Sequence, residues 1–82
     1  MTLYLHHIID SVAPEAMIGI VVSLKDNCTD VYKREMEKIG LEVTVVVRNI
    51  VCGNIRAGKV RVLSELDYIL EIDASKLAKM HQ

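Results

Sequence analysis

Residues 40–56 read GLEVTVVVRNIVCGNIR, and this stretch decides the fold. Gly40 follows a helical pattern and suits the left-handed residue that closes a helix, with Leu41 placed for the hydrophobic contact of a Schellman ending. From Leu41 the chain alternates with the period of a strand. Leu41, Val43, Val45 and Val47 share one side, and Glu42, Thr44, Val46 and Arg48 share the other. Arg48-Asn49 is a turn signal, after which Ile50–Arg56 returns as an antiparallel strand. Gly53 inside that strand points to a bulge or a close backbone approach. A helix end, a strand, a turn and a strand therefore follow one another without a gap.

Upstream, Met17–Lys25 (MIGIVVSLK) is a nearly continuous β-branched run, as expected of a central strand covered on both faces. Asp26-Asn27-Cys28-Thr29-Asp30 then supplies helix-start signals, with Asn27 as the expected N-cap and Asp30 three residues on. Val31, Tyr32, Met36 and Ile39 recur at helical spacing up to Gly40. Downstream, Ala57-Gly58 opens a short helix in which Val60, Leu63 and Leu66 recur every three residues. Tyr68–Asp73 (YILEID) reads as the last strand. From Met17 the order is β-α-β-β-α-β, which predicts an α+β, ferredoxin-like domain. Its four-stranded antiparallel sheet carries two helices on one face. That domain spans 17–73, between an N-terminal extension (1–16) and a C-terminal tail (74–82) whose Leu77 and Met80 fit a helical tail capped by Asp73.

In the extension, Leu5, Ile8, Ile9 and Val12 fit an amphipathic helix, while Leu3, Leu5 and Ile9 also permit a strand; Pro14 ends either one. Two helices cover one sheet face only, and Val21 and Val46 are expected on the other. An apolar face of that size calls for cover by residues 1–16, by a second subunit, or by both. The expected assembly is a homodimer to which the extension contributes.

Composition bounds the function. Of 82 residues, 28 are Leu, Ile or Val, none is Phe or Trp, and the net charge is −1. That excludes a disordered chain. It describes one domain with little room for both a core and a deep enzymatic cleft. Two cysteines, Cys28 and Cys52, are too few to staple a secreted miniprotein. The longest strongly apolar uncharged run, Met17–Leu24, is far shorter than the ~20 residues a membrane helix needs. No Lys or Arg precedes Lys25, as a signal peptide would require, so the expectation is a soluble cytoplasmic protein with no membrane association.

Candidate chemistry is sparse. His6 and His7 are adjacent and diverge on either a helix or a strand, so they read as surface histidines and no metal site is expected. Cys28 sits near the start of the first domain helix, where the helix dipole can lower a thiol pKa; the plain alternative is an inert packed thiol. Lys59 is the one lysine in cationic company, beside Arg56 and Arg61, yet no catalytic residue and no cofactor is expected. Arg56, Gly58 and Lys59 form a candidate anion site if the amides at the helix start are free. Between Glu42 and Glu65 four basic residues and no acid occur, after which Glu65, Asp67, Glu71 and Asp73 reverse the sign. Sheet aromatics of the kind that stack on RNA are missing from MIGIVVSLK and IVCGNIR, which argues against nucleic acid. Glu71 and Asp73 share one strand face, and a solvated face is the plain reading of the pair.

Residues 51–73, VCGNIRAGKVRVLSELDYILEID, resemble the second half of the subtilisin-propeptide and peptidase-inhibitor family. Gly53, Ile55, Val60, Leu63, Leu66, Ile69, Ile72 and Asp73 stand at matching positions, and the first half (IVVSLKDN, then a helix ending IGLEV) also fits. The chain is similar as well to small free-standing bacterial proteins of this fold, some labelled ketohydroxyglutarate aldolase, although no buried lysine marks such an active site. The family resemblance implies a non-enzymatic protein-interaction module, an inhibitor or chaperone. Its sheet docks on a subtilisin-like protease, Glu71 and Asp73 meet helix N-termini of that partner, and the tail enters the cleft. The alternative is a regulatory domain that senses an amino acid or 2-oxo acid near the first strand–helix turn, Lys25–Thr29.

Overall fold

The structure, a computed structural model, describes residues 2–75. Helix α1 (Leu3–Ser11) precedes strand β1 (Met17–Leu24), helix α2 (Asp30–Ile39), strands β2 (Glu42–Val47) and β3 (Ile50–Arg56), a 3-10 turn (Ala57–Lys59), helix α3 (Val60–Ser64) and strand β4 (Ile69–Ala74). The strands form one antiparallel sheet in the order β2-β3-β1-β4. This is the ferredoxin-like arrangement expected from the element order, with one helix added at the N-terminus.

Local chemistry explains the helix ends. The Thr29 hydroxyl accepts a hydrogen bond from the Tyr32 amide, so Thr29 caps α2 and the expectation for Asn27 is corrected. The segment before it is tied elsewhere, because the Cys28 amide donates to the Arg48 carbonyl at 2.8 Å and holds the chain extended. At the other end Gly40 has φ 124°, its amide donates to Glu37, and the Leu41 amide reaches back to Met36. These are the paired bonds of a Schellman ending. Met36 and Leu41 are both buried beside it.

Register decides which side chains enter the core. Opposed residues of an antiparallel pair share a face. Ile18, Ile20 and Val22 oppose Ile55, Gly53 and Val51, and Ile20 and Val22 oppose Ala74 and Ile72 on the other side. These residues pack with Met36, Val60 and Leu63 from the helices into one buried cluster. Gly53 permits this close packing: a Cβ there would run into the Glu42 carbonyl and crowd the Leu41 side chain. Of the two readings of Gly53, the close approach is the one realised.

The bulge lies instead in the neighbouring strand. Val43 opposes Gly53, but Val45 opposes Cys52, so Thr44 is an inserted residue and the clean alternation read from Leu41 breaks there. Val46 then opposes Val51 on the helix side, whereas Val45 and Val47 turn to the opposite face with Cys52 and Ile50. The expectation for Val46 is thus corrected, and that for Val21, which opposes Cys52, holds.

The extension is a helix, and its placement corrects a second expectation. Leu5 is fully buried within the same cluster as Ile20 and Val22, and Ile8 and Ile9 pack against it. Helix α1 therefore joins α2 and α3 on one side of the sheet, and no described helix covers the other side. Its entry is fixed on β4, where the Thr2 amide donates to the Ile72 carbonyl at 3.2 Å and the Thr2 hydroxyl to Asp73 at 2.7 Å. The tail after Ser75, with the expected helix of Leu77 and Met80, lies outside the described residues.

Candidate functional site

Two faces of one sheet meet different surroundings. On the helix side Ile20, Val22, Val51 and Ile72 are at most 1% exposed. On the opposite side Val47–Ile50–Ser23–Glu71 form one row across the sheet and Val45–Cys52–Val21–Asp73 the next. Val45 and Val47 are 50% and 58% exposed and Met17, below them on β1, 49%. Val21, Ile50 and Cys52 are half-buried by their neighbours. The result is an apolar surface centred on β2, β3 and β1 with a carboxylate border on β4. Its position follows from the bulge, which brings Val45 and Val47 to join Ile50 and Val21.

The structure brings Glu71 and Asp73 to that border and assigns them local partners. The Glu71 carboxylate accepts the Ile72 amide at 3.2 Å, and that of Asp73 accepts both the Ala74 amide at 2.8 Å and the Thr2 hydroxyl. Each carboxylate therefore bonds a β4 amide that the ladder leaves pointing outward. Periodicity placed the two acids on one face; it held no signal that they close a sheet edge.

The candidate anion group is partly brought together. Arg56 and Lys59 line a cleft of about 280 Å³ with Met17, Ile39, Gly40 and Glu42. Gly58 is turned away from that role: its amide donates to the Pro14 carbonyl and the Ala57 amide to Ala16, both at 2.9 Å. The free amides on which the cradle depended are committed to the segment between α1 and β1. An anion in the cleft would meet the two side chains, with Glu42 opposing it.

At Cys28 the sequence left a thiol of lowered pKa and an inert packed thiol open. Burial against the core pushes its thiol up from the ordinary value, the Asp30 charge adds to this, and the Lys33 charge only partly offsets it. Neither Cys28 nor Cys52 is disulfide-bonded. Tyr68, which sequence reading took only as the start of a strand, stacks on Tyr32 with ring centroids 3.9 Å apart and donates to Glu35 at 2.8 Å. Burial, then the Glu35 hydrogen bond and charge, hold its hydroxyl in the protonated form well above the usual tyrosine range. These contacts pin α2 to the start of β4. In the Lys25–Thr29 turn, the Lys25 and Cys28 amides are bound to Tyr68 and Arg48 carbonyls. Among the described residues no group of three or more His, Cys, Asp or Glu side chains could hold a metal, and His6 and His7 lie on α1. No described helix is long and apolar enough to cross a membrane.

Fold and face together define a small α+β domain whose most distinctive surface is an apolar sheet face. No family model, no curated protein and no solved structure matches the chain.

Proposed function

We propose that the protein works by binding, as a small protein-interaction module of the propeptide-inhibitor type, and that the uncovered sheet face is its docking surface. The observation that carries this reading is the row Val45–Cys52–Val21–Asp73, apolar side chains ending on a carboxylate, with Val47 and Ile50 above it. An apolar patch rimmed by charge suits a folded protein surface. The acidic border favours a partner that presents helix N-termini or cationic side chains beside an apolar patch. The resemblance of residues 51–73 to propeptide inhibitors supports a subtilisin-class protease in that role. Cytoplasmic location belongs to the same reading.

Inhibition kinetics test it. The full chain at micromolar concentration is expected to inhibit a subtilisin-class protease with slow, tight onset. Val45→Asp, which places a charge on the exposed face, is expected to weaken that inhibition by tenfold or more while the fold persists. Deleting residues 76–82 is also expected to weaken it; the cut spares Ser75, whose amide is bonded to Gly19. Unimpaired protease activity at micromolar protein overturns the proposal.

A further inference from the structure

The sheet has two edges, and the chain treats them differently. Along β4 three outward groups are taken: Glu71 and Asp73 bind the Ile72 and Ala74 amides, and Thr2 binds the Ile72 carbonyl. Along β2 no described side chain or segment does the same. Its valines at 45, 46 and 47 are 50%, 40% and 58% exposed, and the strand contains neither Lys nor Pro. An edge strand with unpaired backbone groups, apolar side chains on both faces and no proline is a template for another strand. The bulge at Thr44 and the charge of Glu42 both precede the regular run Val45–Val47.

We propose that β2 is a pairing edge and that its occupant is β2 of a second copy of this chain, running antiparallel, so that two four-stranded sheets join into one. Charge selects both the partner and the direction. The strand with its flanks reads Glu42-Val43-Thr44-Val45-Val46-Val47-Arg48, acidic at one end and basic at the other. Pairing two such strands antiparallel about the valines sets Glu42 beside the Val47–Arg48 end of the partner subunit, and two-fold symmetry repeats the contact. A parallel pairing would put Glu42 by Glu42 and Arg48 by Arg48. The two-fold axis stands perpendicular to the sheet, so both uncovered faces lie on the same side and become one surface of twice the width. Pairing at the edge is independent of what docks on that surface.

Sedimentation equilibrium of the full chain tests this. The expected mass at micromolar concentrations is twice the 9.2 kDa of the chain. Glu42→Arg and Arg48→Glu each turn two attractive contacts into repulsive ones and are expected to weaken association about tenfold. The E42R/R48E double variant is expected to recover it to within about threefold of the native chain. Val21→Lys, at the centre of the open face, is expected to leave the dimer intact. Circular dichroism checks each fold; where a charge reversal fails to fold, Glu42→Gln or Arg48→Gln replaces it with about a threefold expected weakening. A single-chain mass throughout, association indifferent to the edge charges, or a dimer lost in Val21→Lys overturns the proposal.

Discussion

Val21 and Val22 are neighbours on β1, and they belong to two different parts of the molecule. Val22 is fully buried between Val51 and Ile72 beneath the helices. Val21 lies between Cys52 and Asp73 on a face that no described helix covers. The same side chain contributes to stability on one side and to a surface on the other. Strand pleating alone makes this division, and the helices decide which half becomes core.

Mutations on the two sides should separate accordingly. The largest expected loss is at Leu5, the fully buried residue that joins α1 to the core. Leu5→Ala should cost about 2–5 kcal/mol in chemical denaturation. A loss below about 1 kcal/mol would place α1 outside the cooperative fold. Next is Gly53→Ala, whose methyl meets the Glu42 carbonyl and must push β2 away from β3. About 1–3 kcal/mol is expected, with faster amide exchange in β2 than in β1. Equal protection of both strands would show that the sheet absorbs the methyl some other way. The smallest effect belongs to the open face: Val45→Thr, at a half-exposed site, should change stability by no more than about 0.5 kcal/mol. A loss as large as that at Leu5 would mean that the face is buried in solution, and the contrast between the faces would fail.

The two sheet edges repeat the contrast in hydrogen bonds. β4 spends Glu71, Asp73 and Thr2 on its outward backbone, while no described residue outside the sheet bonds that of β2. The resemblance to propeptide inhibitors singled out the same two acids, and the structure adds a local bond for each. Both carboxylates bond amides of β4, and the apolar surface beside them is formed by Val21, Val45, Val47 and Ile50.

Much of this was legible in the chain because it rests on short-range chemistry. Gly40 and Leu41 announce a Schellman ending, since only those few residues make it. The hydrophobic periods at 17–25, 31–39 and 41–56 give element types and their order, and hence the fold. The bulge was not legible: Thr44 is a good strand residue whether paired or inserted, and nothing in EVTVVV marks which. Asn27 and Thr29 are both acceptable caps, and the bond from Cys28 to Arg48 chose between them. At the candidate anion group, Arg56 and Lys59 were findable from their spacing. The loss of the Ala57 and Gly58 amides was not, because they bond to residues some forty positions away.

The sequence alone therefore determined an aliphatic α+β domain and the β-α-β-β-α-β order, both consequences of local pattern, and left Gly53 open between a bulge and a close approach. Only the tertiary structure decided that α1 packs with the other helices, that Val45 and Val47 look outward, and that one edge is closed. Each of those depends on groups that meet across the chain, as Thr2 meets Asp73 from 71 residues away. A periodicity of two or 3.6 residues carries no information at that range.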